Sequence, residues 1–127
     1  MTGAPAIDLA VLDALTEQLG DSGMEMRRAL LATYLQEGAE RMAELRAAVD
    51  RDDAATVQDV AHTLKSSSAL LGVMPLVDLL QQTEDAARVG ALGVTSLVAL
   101  AEAEYARAAI AIGAQLGTTP DSDRRDP

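Results

Sequence analysis

Apolar residues return at helical spacing along almost the whole chain, and turn-forming residues interrupt them so as to divide it into five helical segments. Leu9, Leu12 and Leu15 mark a short amphipathic helix from about Asp8 to Leu19, ended by Gly20 in the run Gly20-Asp21-Ser22-Gly23. From about Met24 to Asp50, Leu31, Leu35, Gly38, Met42, Leu45 and Val49 follow alternating spacings of four and three, a coiled-coil-like seam facing other helices. Arg51-Asp52-Asp53 breaks the pattern, and Asp53 suits the N-cap of a third helix whose stripe is Val57, Ala61, Leu64, Ser68 and Leu71. Gly72 stops it. Pro75 fits the first turn of a fourth helix that buries Leu76, Leu79, Leu80, Thr83 and Ala87 and ends near Gly90. The fifth, from about Thr95 to Leu116, aligns Val98, Ala101, Tyr105, Ala108 and Ile112.

Four helices of bundle length joined by short loops predict an all-α fold, an antiparallel up-down-up-down four-helix bundle with the short N-terminal helix across one end. Residues 1–116 form one domain in this reading. The tail 117–127, without an apolar residue after Leu116, is expected to be disordered. With 127 residues, the chain is long enough for one core but short of separate catalytic and substrate domains. Phe and Trp are absent and Tyr34 and Tyr105 are the only aromatics, so the core must be built from Leu, Val, Ile, Met and Ala.

A net charge of -10 argues against nucleic acid as a partner. The absence of Cys and the single His argue against a Cys-rich or multi-His metal centre. Glu37, Glu40 and Glu44 on the second helix read as a solvated face, because bundle di-iron sites also need Glu-x-x-His pairs. No metal and no cofactor are expected. No apolar run reaches the roughly 20 residues of a membrane span, and the N-terminus lacks a basic region followed by an apolar one. A cytoplasmic, monomeric protein is the expectation.

The chemistry that remains is concentrated on the third helix. His62 is the only histidine and Lys65 the only lysine, the other nine cations being Arg. With the stripe facing the bundle, His62 and Ser66 turn outward and Lys65 and Ala69 flank them. A lone surface His beside a Lys is ordinarily a solvated pair. Here, however, Ser66 and Ala69 leave the imidazole on a small-walled face where Glu, Lys, Arg or Gln would be usual, as if cleared for another protein.

The run Ala61-His62-Thr63-Leu64-Lys65-Ser66-Ser67-Ser68, followed by Leu71-Gly72 and then Leu76 and Leu79, resembles the signature of histidine-containing phosphotransfer (HPt) domains. The opening Ile7-Asp8-Leu9 with Leu12 and the Ala-rich second helix extend the resemblance from about residue 7 to residue 116. The resemblance implies a carrier without autonomous activity, phosphorylated on His62 and exchanging the phosphoryl group with receiver domains of response regulators and hybrid histidine kinases. It gives Lys65 the role of stabilising the phosphoryl group, makes Ser66 and Ala69 a docking face, and leaves Mg²⁺ to the receiver. The chain departs from the family where Ser66 replaces the usual Gly. It departs again where Glu84 stands at the position of a polar residue, often Gln, that can hydrogen-bond the imidazole. Glu84 is equally readable as a plain solvent-facing residue. The rival function is a helical adaptor that binds receivers or kinases without chemistry.

Overall fold

The computed structural model describes residues 4–117, which contain helices and no strand. The helices are α1 (Leu9–Gln18), α2 (Gly23–Asp50), α3 (Ala54–Leu70), α4 (Met74–Val89) and α5 (Val94–Leu116), with a single 3₁₀ turn at Gly20–Ser22. The expected tail lies, beyond Gly117, outside the described residues.

The four long helices run alternately up and down, and each packs on its sequence neighbours, with α2 and α5 closing the ring. The core is aliphatic: Leu31, Leu45, Leu64, Leu76, Leu80 and Ile112 are almost wholly withdrawn from water. Each such side chain contributes about 1.5–3 kcal/mol of burial free energy. On α2 the interior positions include Tyr34 and Ala48, while Leu35 is only partly buried. The seam is shifted because Tyr34 turns inward to hydrogen-bond Ser68, at 2.7 Å between hydroxyls. Gly38 lets α5 approach: a Cβ there would lie 2.7 Å from Tyr105 Cε1. From that position Tyr105 donates its hydroxyl to the Leu35 carbonyl at 2.7 Å.

The short helix is held by two devices. Gly72, at φ 81°, ends α3 in a left-handed turn in which Val73 N donates back to Ser68 O at 2.9 Å. The same glycine accepts a hydrogen bond from Asp8 N, and a Cβ on it would lie 2.7 Å from Asp8 O. Second, the buried Arg27 of α2 donates to Asp13 and Thr16 of α1 and to Gln115 of α5, so one guanidinium ties three helices.

Candidate functional site

The site begins with how α3 is fixed in rotation. Asp53 caps it, its carboxylate accepting from Thr56 N at 3.2 Å. Val57, Val60, Ala61, Leu64 and Ser68 are buried. With that face committed to the core, His62 points out, and its side chain is 62% exposed. Ser66 and Ala69 lie exposed on the same side of the helix. The Ser66 hydroxyl donates to His62 O at 3.2 Å, so it lies back along the helix instead of reaching outward. Ser67 does the same to Thr63 O. The three serines therefore divide: Ser66 and Ser67 keep the surface low, and Ser68 belongs to the core.

The fourth helix supplies the rest. Glu84 Oε2 lies 3.2 Å from His62 Nδ1, and Glu84 Oε1 accepts from Lys65 Nζ at 2.9 Å. One carboxylate thus joins both α3 residues. Its side chain and that of Lys65 are only 16% and 20% exposed, so imidazole, carboxylate and ammonium form a partly shielded triangle at the α3–α4 seam. The Lys65 hydrogen bond and charge, with a smaller contribution from the hydrogen bond to His62, hold the Glu84 carboxyl below its ordinary range against an opposing desolvation effect. An ionised carboxylate only accepts, which requires the proton of a neutral imidazole to sit on Nδ1 and leaves the lone pair on Nε2. Lys65 Nζ also donates to Gln81 Oε1 at 2.7 Å, a contact the sequence reading did not anticipate. Its only sequence signal is position, Gln81 lying one turn before Glu84.

Around the imidazole the surface forms a shallow depression lined by Gln58, Asp59, Thr63 and Glu84. A separate cavity of about 330 Å³, between the α2–α3 turn and the α4–α5 loop, does not include His62. One of its two carboxylates, Asp53, is already spent on capping α3. Glu37, Glu40 and Glu44 belong to no cluster of three or more metal-ligating side chains among the described residues. No helix of the described residues is long and apolar enough to cross a membrane.

An antiparallel bundle that presents one exposed imidazole, supported by a lysine of its own helix and a carboxylate of the next, defines a class of helical bundles built around a single surface histidine. The family model of the Hpt domain matches residues 29–111, a span from α2 into α5 that contains His62, Lys65 and Glu84. The chain belongs to the Hpt domain family, whose members carry phosphoryl groups in relays. It is similar to the crystal structure of histidine-containing phosphotransfer protein B (HptB) from Pseudomonas aeruginosa PAO1. The TM-score is 0.81 and the identity 28%, over 91% of this chain and 97% of that one. No curated protein matches the chain.

Proposed function

We propose that His62 is the phosphoryl-carrying residue of a relay, charged by the aspartyl phosphate of one receiver domain and discharged to the aspartate of another. The observation that carries this reading is the orientation of the imidazole: Nδ1 faces Glu84 while the ring stands in solvent on a face lined by small residues. In the charging step the Nε2 lone pair attacks phosphorus. The N–P bond forms as the acyl O–P bond breaks, and that electron pair leaves on the receiver's carboxylate.

Phosphorylated at Nε2 and still protonated at Nδ1, the ring carries positive charge, which the Glu84 carboxylate offsets through the Nδ1–H. Delivery reverses the bond changes. Glu84 alone would also repel the incoming phosphoryl oxygens, and Lys65, bound to its other oxygen, neutralises it. An ammonium has three N–H donors. Two are used on Glu84 and Gln81, so one remains for a phosphoryl oxygen. Ser66 and Ala69 form the face against which the receiver closes, because in-line transfer requires the two active sites to come nearly into contact. The partners in this reading are receivers of response regulators and hybrid histidine kinases, acting with a monomeric carrier in the cytoplasm.

The test is incubation with a panel of receiver domains charged with labelled phosphoryl groups. Acid-labile label is expected on wild type and none on His62→Gln, whose circular dichroism and melting stay near wild type. Label persisting on His62→Gln would overturn the assignment. Binding without label from any donor would instead favour an adaptor.

A further inference from the structure

Gln81 is exposed, yet both ends of its amide are engaged. Its Oε1 accepts from Lys65 Nζ at 2.7 Å, and its Nε2 donates to Asp85 Oδ1 at 2.9 Å. Asp85 in turn pairs with Arg88 at 3.0 Å. The order of these contacts fixes which way the amide faces, because an ammonium needs an acceptor and a carboxylate needs a donor. A continuous polar chain therefore runs His62, Glu84, Lys65, Gln81, Asp85, Arg88, with four of its six members on one face of α4.

We propose that Gln81 is a positioning residue for phosphotransfer, acting through Lys65. The inference rests on the relay reading of His62 and adds to it a residue that touches neither the imidazole nor the phosphoryl group. Lys65 ends a flexible four-carbon stem, and an ammonium held by Glu84 alone can swing about that single contact. The second acceptor from α4 holds it in place before the receiver arrives. Its remaining donor then needs no ordering when the phosphoryl group is in flight, which is the condition under which a charge lowers a barrier most. Asp85 and Arg88 keep the Gln81 amide from turning.

The experiment is single-turnover transfer from a receiver charged with labelled acetyl phosphate. It uses the full chain as wild type, Gln81→Ala, Lys65→Ala and the double variant, over a range of receiver concentrations. Gln81→Ala is expected to lower the saturating rate roughly five-fold, the equivalent of one hydrogen bond, with the half-saturating receiver concentration unchanged. In the Lys65→Ala background the same substitution is expected to change nothing further. Equal slowing in both backgrounds would overturn the proposal, since Gln81 would then act without Lys65. A wild-type rate for Gln81→Ala beside a slow Lys65→Ala would overturn it too, while leaving the relay reading intact. Label on His62→Gln marks the separate failure of that reading, and with it of this proposal.

Discussion

Tyr34 and Ser68 share a buried hydroxyl–hydroxyl hydrogen bond of 2.7 Å, the one polar contact between α2 and α3 that lies wholly inside the bundle among the hydrogen bonds described. Ser68 is six residues beyond His62, so seating it against Tyr34 rotates α3 until the imidazole faces water. Burial pushes the Tyr34 phenol up to about 12, with the Ser68 bond opposing the shift, so the hydroxyl stays protonated through the working range.

Ser68→Ala is therefore expected to destabilise the fold by about 1–3 kcal/mol, the cost of leaving the Tyr34 hydroxyl buried without a partner. Urea melts of Ser68→Ala and of the double variant with Tyr34→Phe check this. The double variant is expected to recover part of the loss, because neither partner is then orphaned. Full stability of the single variant would show that the hydroxyl finds another acceptor.

Gly38→Ala is expected to cost about 1–3 kcal/mol, since the new Cβ would sit 2.7–2.8 Å from the Tyr105 ring and hydroxyl and force the ring off the Leu35 carbonyl. Tyr105→Ala in the same background would relieve the clash. Thermal melts showing the two substitutions strictly additive would contradict a shared contact.

Glu84→Gln tests the triangle by pH. The folded Glu84 carboxyl lies below its unfolded value, chiefly through the Lys65 hydrogen bond. Its stabilising contribution is then complete above the ordinary carboxylate range of about 4.3 and is lost as pH falls through the depressed folded value. Wild type is expected to exceed Glu84→Gln by no more than about 1 kcal/mol at neutral pH, the usual worth of a pair near the surface. The gap is expected to close on acidification, read as melting temperature against pH. A gap that stays constant down to about pH 3 would mean that Lys65 does not hold this carboxyl.

The elements of this fold were legible because helix periodicity and turn chemistry agree at each break: Asp53 caps α3, Pro75 opens α4 and Gly72 closes α3 in a left-handed turn. The outward turn of His62 followed from the stripe through Val57, Ala61, Leu64 and Ser68. What the pattern could not carry were contacts between helices. Arg27 reads as a polar residue at a helix start, and only the packed structure shows it meeting α1 and α5. Gln81 looks like any solvated amide, because its contact depends on where Lys65 ends across the α3–α4 seam. Glu84 stood undecided between solvent and imidazole for the same reason, and the structure sets it 3.2 Å from His62 Nδ1.

Ser66 is expected to be the most size-sensitive position on the docking face. Its hydroxyl folds back onto His62 O, leaving little more than a Cβ one turn beyond the imidazole on the same exposed side. In the proposed relay, a receiver that brings its aspartate into line with Nε2 would pass over this spot, and obstruction by a few ångströms would break the alignment on which transfer depends. Ser66→Gly removes what little is there, at a helix-propensity cost of up to about 1 kcal/mol, and is expected to transfer at least as fast as wild type. Ser66→Gln improves helix propensity, so it is expected to melt no lower than wild type, while its longer side chain lowers receiver affinity and transfer together. Affinity, single-turnover rate and melting temperature measured on both variants separate docking from folding. Unchanged affinity and rate in Ser66→Gln would show that the receiver approaches His62 from another side, and Ser66 and Ala69 would lose their assignment as the docking face.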